Sequence, residues 1–368
     1  MIQRVALLGV GLIGGSLALA FKRSTDRLTI IGYDRPDVLD EALRLGVIDA
    51  RAADPAAAVQ EADLVILATP IGAILHLLDA IAPHVRPDAI ITDVGSVKAP
   101  VLAHAREVLP DRFAFVGGHP MTGSEHGGVA HADPFLFENA TYVLCPPAGM
   151  PAIEATRDFA GLIELLQRSG ARLLMLEADV HDRIAATVSH LPQLLAVLLM
   201  NLAAERATEH EAVLKLAAGG FRDMTRIAAS PFAMWRDILV ANHGNILDTL
   251  GDCAAALQRL RNRLAAEDLD ALEEAFRQAR AARESIPRDS KGFLRPLADL
   301  YVHAEDRPGA LLHIVQTLYE AEVNIKDIEL LKIREGTGGT FRLGFVDEAT
   351  VQTAIETLRR AGLKAHRL

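Results

Sequence analysis

Cysteine is scarce in this sequence of 368 residues, since only Cys145 and Cys253 occur and no CxxC pair is present. Two isolated cysteines argue against a disulfide framework and favour a reducing compartment. Long apolar runs are also lacking. Beyond the N-terminal segment the longest is residues 194–200, far shorter than a membrane span requires. Glycines interrupt the N-terminal run and no cleavage-site pattern follows it, so we interpret it as a strand. We therefore expect a cytoplasmic protein that does not enter a membrane.

Positive charge is in deficit, because 38 Lys and Arg face 48 Asp and Glu and the formal net charge is -10. This balance argues against a nucleic-acid partner, which would demand clustered basic residues. Small molecules and other copies of the chain are the expected partners. A chain of this length exceeds one compact core and indicates two or three domains.

The first 178 residues alternate short apolar or β-branched runs with helical stretches. Several of these runs are apolar throughout, as strands buried on both faces should be. The candidate strands are residues 4–10, 28–34, 63–68, 89–94, 113–117, 141–145 and 171–176. Strands that alternate with helices are typical of a parallel, doubly wound sheet. We predict an α/β dinucleotide-binding domain of the Rossmann type over residues 1–178.

The pattern changes twice further along the chain. Residues 179–290 give helix after helix, and residues 191–203 are apolar nearly all round, which predicts an all-helical domain and a homodimer core. Residues 286–292 are polar, contain Pro and Gly, and indicate a linker. Residues 296–368 then alternate as a βαββαβ unit.

A glycine-rich loop directly follows the first predicted strand. Gly9, Gly11 and Gly14, with Leu12 and Ile13 between the last two, form a GxGxxG element that opens an apolar helix. The first glycine permits the tight turn, the second lets the backbone approach a pyrophosphate, and the third allows close helix–strand packing. Free N–H groups at the helix start would hold the phosphates. The loop therefore predicts a dinucleotide cofactor.

The end of the second predicted strand indicates which dinucleotide is bound. Asp34 lies twenty positions after Gly14, where an acidic residue grips the ribose hydroxyls. Its carboxylate would repel the extra phosphate of NADP, which favours NAD, although Arg35 could contact that phosphate. Thr69 and Pro70 follow the third clear strand and should line the same crevice.

The proton acceptor of a dehydrogenase is sought among the 13 histidines. His119 follows a predicted strand within a glycine-rich loop at the carboxyl edge of the sheet. Ser96 follows a neighbouring strand at the same edge, where its hydroxyl could orient the imidazole or bind a substrate oxygen. We predict His119 as the base and Ser96 as its helper, with no metal ion in the site. The histidines in helical stretches are expected to be surface or structural: His76, His84, His104, His181 and His243.

Five segments together carry a resemblance to a known family. They read GLIGGS, DVGSVK, GGHPMTGSE, SHLPQ and FRDMTRIAASPFAMWRDI. In order and approximate spacing they resemble prephenate dehydrogenase, an enzyme of tyrosine biosynthesis. The C-terminal unit, with DRPG at 306–309 and Asn324-Ile325, resembles an ACT domain, a regulatory module that often binds amino acids.

The resemblance implies the reaction and several site residues. Prephenate would lose hydride to NAD and lose carbon dioxide, giving 4-hydroxyphenylpyruvate, while His119 takes the hydroxyl proton. Arg226 is the implied cation for a substrate carboxylate, through paired hydrogen bonds. Glu125 and His190 are assigned to the pocket wall. Gly309 and Asn324 would flank an effector site, with tyrosine as the natural effector.

One departure from the family leaves the substrate open. Many relatives read SHLPH, whereas this chain has Gln193 at the last position. If that side chain faces the substrate, a neutral amide would suit either prephenate or its aminated analogue arogenate.

Two further alternatives stay open. One is another Rossmann hydroxyacid dehydrogenase with a helical second domain, which leaves the C-terminal unit unexplained. The other is a non-catalytic sensor of amino acids and nucleotides, against which the presence of both His119 and Ser96 argues.

Overall fold

The computed structural model describes residues 2–25, 27–109, 114–123, 127–285, 297–334 and 338–367. By their internal contacts the residues group into two units, Met1–Leu272 and Glu273–Leu368, and the boundary falls within one helix. The predicted first domain and most of the predicted second domain, up to Leu272, therefore share one unit. The predicted boundaries at 178, 290 and 296 remain predictions, and the predicted linker at 286–292 lies outside the described residues.

An eight-stranded sheet forms the first half of the chain. Its strands are β1 (Arg4–Leu8), β2 (Thr29–Tyr33), β3 (Ala50–Arg51), β4 (Leu64–Leu67), β5 (Ile90–Asp93), β6 (Ala114–Pro120), β7 (Thr141–Cys145) and β8 (Arg172–Met175). They lie in the order β3-β2-β1-β4-β5-β6-β7-β8. The chain starts in the middle and winds outwards in both directions, which creates a crevice at the carboxyl ends of β1 and β4.

Helices cover both faces of this sheet. They are α1 (Leu12–Ser24), α2 (Pro36–Arg44), α3 (Pro55–Val59), α4 (Ile71–Ile81), α5 (Ala99–Val108), α6 (Ala152–Asp158) and α7 (Ala160–Arg168). Two apolar clusters result, one on each face. Alternate residues of β1 divide between them, since Val5 and Leu7 join one cluster while Ala6 and Leu8 join the other. The Rossmann fold predicted from the strand pattern is confirmed.

One strand pair departs from the parallel arrangement that the sequence predicts. β6 and β7 run antiparallel, with His119 opposite Val143, and β8 runs parallel to β7. A parallel neighbour would need a helical crossover between the two strands. Among the described residues, the connection from Pro120 to Thr141 contains only a 3-10 turn, Val129–His131, so the chain returns antiparallel.

A helical segment follows β8, and it belongs to the same unit as far as Leu272. It comprises α8 (Ala178–Ala185), α9 (Leu191–Glu209), α10 (Ala212–Lys215), α11 (Gly219–Thr225), α12 (Phe232–Ala241), α13 (His243–Ala265) and α14 (Leu269–Ser285). A π turn, Ala186–His190, joins α8 to α9, and a 3-10 turn, Arg226–Ala229, follows α11.

The continuous helix of residues 178–209 is long and apolar enough to cross a membrane by length and composition alone. It carries buried polar side chains, however. His181, Asp182 and His190 are each at most 3% exposed and hydrogen-bond to neighbouring residues of the unit. Buried, hydrogen-bonded polar groups of this kind are typical of a core helix in a folded domain.

The second unit contains a four-stranded antiparallel sheet with helices on one face. Its elements are β9 (Ala298–Ala304), α15 (Ala310–Glu320), β10 (Asp327–Arg334), β11 (Gly338–Phe345), α16 (Glu348–Arg360) and β12 (Lys364–His366), with strand order β10-β11-β9-β12. Leu300, Val302, Ile314, Leu343 and Leu358 belong to its separate apolar core. The predicted βαββαβ unit is confirmed.

Candidate active site

The glycine loop between β1 and α1 is shaped by positions that cannot hold a side chain. Gly9 has φ +99°, and a Cβ there would lie 2.4 Å from the carbonyl oxygen of Ala68. A Cβ on Gly14 would lie 2.2 Å from the carbonyl oxygen of Gly9. At Gly11, in contrast, a Cβ would meet no atom within 4 Å. Gly9 and Gly14 therefore shape the loop, while Gly11 faces open space that a ligand can enter.

A cavity of about 730 Å³ lies beside this loop. Gly9, Asp34, Arg35 and Thr69 are among the residues that line it. The Asp34 carboxylate accepts hydrogen bonds from the backbone N–H of Val10, at 2.7 Å, and of Arg35, at 2.7 Å, which fixes it at the end of β2. The Arg35 guanidinium pairs instead with exposed Asp37, at 3.5 Å.

The residues around this cavity fit a dinucleotide. The hydroxyl of Thr69 is buried and has no hydrogen-bond partner among the described residues, which is uncommon for a buried polar atom. A ligand hydroxyl or phosphate oxygen would satisfy it. The first N–H groups of α1 lack a side-chain cap at Gly11 and provide donors for phosphate oxygens. Leu12 and Ile13 contribute the first two of these N–H groups, and Pro70 precedes α4.

A buried ion pair lies further along the same sheet edge. Asp93 ends β5 and pairs with Lys98, and both side chains are fully buried. The Lys98 ammonium also donates to the carbonyl oxygen of Gly118, at 2.6 Å, and the Asp93 carboxylate accepts from the N–H of Gly118, at 3.1 Å. A Cβ on Gly118 would lie 2.4 Å from the backbone oxygen of Asp93. The pair therefore holds the main chain immediately before His119.

His119 lies within β6, because the strand continues to Pro120, and not in the loop after it as the sequence predicted. The reason is its pairing with β7, which extends the strand past the glycines. The ring is 9% exposed. Burial holds the pKa of His119 well below its ordinary value, and nearby Lys98, His181 and His190 act in the same direction. His119 is thus neutral at pH 7 and able to accept a proton.

His181 is the partner of His119 and is buried, so it is not the surface residue that was one of the two expectations, while the expectation of a structural role stays a prediction. Nε2 of His181 lies 2.8 Å from Nδ1 of His119, and the rings meet edge-on with centroids 5.0 Å apart. Nδ1 of His181 lies 2.8 Å from the Asp182 carboxylate. That carboxylate in turn accepts from the N–H groups of Lys98, at 2.7 Å, and Ala99, at 2.8 Å, at the start of α5.

The helical segment supplies three more of the predicted substrate-site residues. His190 is buried, and its Nδ1 lies 3.2 Å from the side-chain amide nitrogen of Asn242. Burial lowers the pKa of His190 to about 4. The Gln193 amide donates to the carbonyl oxygen of Ile227, at 2.9 Å. Gln193 therefore ties α9 to the turn that begins with Arg226, whose side chain is exposed.

The other predicted site residues have no described contact with His119. Ser96 is half-buried in the bend after β5, and no hydrogen bond joins it to His119 among the described residues. Glu125 lies outside the described residues. Gly309 and Asn324 are both exposed and lie just before and after α15.

The sequence reasoning missed the polar residues that support the site. These are Asp93, Lys98, Asp182 and Asn242. Charged and amide groups in otherwise apolar stretches were the available signal, since each must find a partner when buried.

Three family models match consecutive parts of the chain and together cover most of it. Residues 17–175 match the prephenate dehydrogenase nucleotide-binding domain, residues 177–278 match the prephenate dehydrogenase dimerization domain, and residues 298–362 match the ACT domain. The prephenate dehydrogenase of Bacillus subtilis is 39% identical over 352 residues, which cover 94% of this chain and 92% of that one.

The chain belongs to the prephenate dehydrogenase family. A second member, from Lactococcus lactis, is 34% identical over 362 residues, which cover 98% of both chains. Among solved structures, the prephenate dehydrogenase of Aquifex aeolicus in complex with hydroxyphenyl propionate and NAD+ is 29% identical, with a TM-score of 0.72. The aligned region covers 78% of this chain and 99% of the Aquifex aeolicus chain. Membership in the prephenate dehydrogenase family makes the chain an NAD-dependent oxidoreductase.

Proposed function

We propose that this protein catalyses the NAD-dependent oxidative decarboxylation of prephenate to 4-hydroxyphenylpyruvate in tyrosine biosynthesis. One observation supports it above the others: a buried, neutral histidine lies on the same sheet edge as a glycine loop that fits a dinucleotide. NAD, when bound, would supply the acceptor for the hydride of the hydroxyl-bearing carbon of the substrate. His119 takes the hydroxyl proton as that hydride leaves and returns it to the phenolate oxygen after carbon dioxide is lost. Ser96 would position the substrate hydroxyl.

The activity is tested by incubating the protein with prephenate and NAD. We expect reduced nicotinamide, carbon dioxide and 4-hydroxyphenylpyruvate in equal amounts. Arogenate, assayed in parallel, would yield tyrosine if it were the preferred substrate, and an aliphatic hydroxyacid tests the other dehydrogenase hypothesis. Higher kcat/KM for either of these than for prephenate would contradict the proposal. Equal efficiency with NADP and NAD would contradict the NAD preference, which rests on repulsion between the Asp34 carboxylate and the extra phosphate of NADP.

The role of His119 is tested by His119→Asn, which keeps a smaller polar side chain but removes the base. We expect kcat to fall by about 10²–10⁴, while NAD affinity changes little. His104→Asn is the matched control, because His104 is a partly exposed histidine hydrogen-bonded to Asp79 on the helices of the same unit. Near-normal kcat in the His119 variant would remove it from the mechanism.

We propose Arg226 as the residue that meets a substrate carboxylate. Charge-assisted hydrogen bonds contribute on the order of 1.5–3 kcal/mol each, so Arg226→Ala should raise KM for prephenate by roughly one to two powers of ten. The control is Lys215→Ala, which removes an exposed cation of the same helical segment. Equal KM values in the two variants would rule out the role of Arg226. Glu125 and His190 are proposed only as pocket-wall residues.

We also propose a cytoplasmic homodimer. Leu198 and Leu202, one turn apart on α9, are 62% and 53% exposed in the single chain, and burying them would favour pairing. Light scattering should give twice the chain mass, and Leu198→Glu with Leu202→Glu should give monomers. Ile153→Glu, at a still more exposed site on α6, should leave the mass unchanged. Two free cysteines fit the reducing cytoplasm.

Tyrosine is the proposed effector of the ACT unit. Gly309 precedes α15 and Asn324 lies four residues beyond its end, and the helix is about 16 Å long by its rise per residue, which favours a site formed between two copies. Tyrosine should lower the initial rate of the full-length protein, and Asn324→Ala should weaken that inhibition. Gln352→Ala, an exposed amide on α16, is the control. Inhibition that is unaffected by Asn324→Ala and abolished by saturating prephenate would place tyrosine in the active site instead.

A further inference from the structure

Three side chains are hydrogen-bonded in a row that ends at the proposed base, His119. It runs from the Asp182 carboxylate to Nδ1 of His181, at 2.8 Å, and from Nε2 of His181 to Nδ1 of His119, at 2.8 Å. All three residues are buried, at 1%, 3% and 9% exposure in that order. Asp182 and His181 are adjacent on α8, whereas His119 lies on β6, 62 positions before His181.

The position of Asp182 is fixed by more than this contact. Its two carboxylate oxygens accept from the N–H groups of Lys98 and Ala99, where α5 begins. Its backbone oxygen accepts from the side chain of Asn242, at 2.8 Å. An ionised carboxylate can only accept hydrogen bonds, so the proton in its contact with His181 must lie on Nδ1 of His181.

A hydrogen on Nδ1 of His181 determines which nitrogens of both rings carry the other hydrogens. In a neutral imidazole one ring nitrogen donates and the other accepts, so a His181 that donates through Nδ1 accepts through Nε2. Nδ1 of His119 must then carry the hydrogen in the contact between the rings. Nε2 of His119 is left with a lone pair, which is the state that a base requires.

We propose that His181, oriented by Asp182, is a positioning residue that holds His119 as the Nδ1–H tautomer and so directs its lone pair at Nε2 to the substrate hydroxyl. This inference rests on the proposed role of His119 as the base. During the reaction the O–H bond of the substrate breaks and a bond forms between that proton and Nε2 of His119. The imidazolium that results keeps its Nδ1–H bonded to Nε2 of His181. His181 itself makes no contact with the substrate in this scheme.

Two substitutions of His181 separate this role from simple packing. A glutamine side chain can place its amide oxygen near the former Nε2 position and still accept from His119, whereas asparagine is too short. We expect His181→Asn to lower kcat by about ten- to a hundred-fold, the loss that follows when a metal-bound histidine is deprived of the partner that orients it. His181→Gln should retain kcat within a few-fold of wild type. KM for prephenate, NAD affinity and Tm should be similar in both variants.

The tautomer can also be observed without any activity measurement. In wild-type protein with ¹⁵N-labelled histidine, the ring signals of His119, identified by their loss in His119→Asn, should show a protonated Nδ1 and a bare Nε2. A protonated Nε2 on wild-type His119 would overturn the proposal, even if the His181 variants failed to fold. So would equal kcat in His181→Asn and His181→Gln.

These outcomes are distinct from failure of the proposed function. If His119→Asn kept normal kcat, the base assignment itself would fail. If His119→Asn lost kcat while both His181 variants matched wild type, only the positioning role would be overturned.

Discussion

The carboxyl edge of the large sheet carries the glycine loop at one place and the buried histidine cluster at another, and different features determine the geometry of the two. At the glycine end, Gly9–Gly14 on the turn after β1, the geometry depends on side chains that are missing. At the histidine end, formed by Asp93, Lys98, His119, His181 and Asp182, it depends on buried polar side chains that hold one another. A missing side chain leaves room for a ligand at no electrostatic cost, whereas a buried charge persists only while its partner is present. The two ends should therefore fail differently when they are altered.

The largest effect is expected at the histidine end. Lys98→Met leaves the Asp93 carboxylate buried without its cation, and breaking such a pair costs about 3–5 kcal/mol. We expect the free energy of unfolding, measured by urea titration, to fall by this order. Arg4→Met is the control, because its pair with Glu61 is 46% and 69% exposed and should contribute less than about 1 kcal/mol. Equal losses in the two variants would contradict the comparison.

Intermediate losses are expected at the glycine end. A substitution at Gly9 should reduce both stability and NAD affinity, whereas one at Gly11 should reduce NAD affinity alone. Gly9→Ala introduces a Cβ against the Ala68 carbonyl and an alanine at φ +99°. Backbone strain of this kind costs of order 1–3 kcal/mol, so both Tm and NAD affinity should fall.

Gly11→Ala supplies the matched comparison, because its Cβ meets no protein atom within 4 Å. Stability should stay within about 0.5 kcal/mol of wild type, while NAD binds more weakly because the methyl group occupies ligand space. Calorimetric titration with NAD and a thermal melt measure both quantities. A Gly11 variant that loses stability but binds NAD normally would refute this division.

The smallest effect, near neutral pH, is a pH dependence that arises from His119 at the histidine end and from His190 close to it. His119 and His190 have lowered pKa values in the folded protein, about 4 for His190, whereas unfolded histidine titrates near 6.5. Below about pH 6.5 the unfolded state binds more protons, so stability should fall as the pH falls and level off near the folded pKa. Each group contributes a slope of at most about 1.4 kcal/mol per pH unit.

Melts between pH 7 and pH 5 would measure this slope. His190→Gln should make it shallower, because one titrating group is removed, although Lys98, His181 and Asp182 still surround the site. Gln352→Ala, which removes no titratable group, is the control and should leave the slope unchanged. A slope that His190→Gln does not alter would show that His190 is not the group responsible.

The glycine end was predictable from sequence because its determinants are local. The motif after β1 and the acidic residue after β2 lie within a few tens of positions, and each follows from backbone geometry alone. The strand pattern likewise predicted seven of the eight strands of the large sheet and all four of the small one. β3 was missed because Ala50–Arg51 is only two residues long and exposed.

The histidine end was predictable only in part. His119 and Ser96 could be selected as polar residues at a sheet edge, but the bond from Asp182 to Lys98 joins positions 84 apart. No periodicity encodes which helix returns to which strand, so His181 resembled any histidine in a helical stretch. The role of Gln193 was similarly hidden, because its amide is engaged by a backbone carbonyl 34 positions away.

The π turn at Ala186–His190 has a consequence for how this family of chains can change length. A π turn holds one residue more than an α turn, because its hydrogen bonds join residues five positions apart. Shortening Ala186–His190 by one residue would let it close as an ordinary α turn, and α9 would keep nearly the same face towards its neighbours. Removing one residue between Gln193 and Leu198 would instead rotate Leu198 and Leu202 by about 100° relative to Gln193. A deletion in the π turn should therefore preserve both the Gln193 contact and the proposed pairing face, whereas a deletion within α9 should separate them.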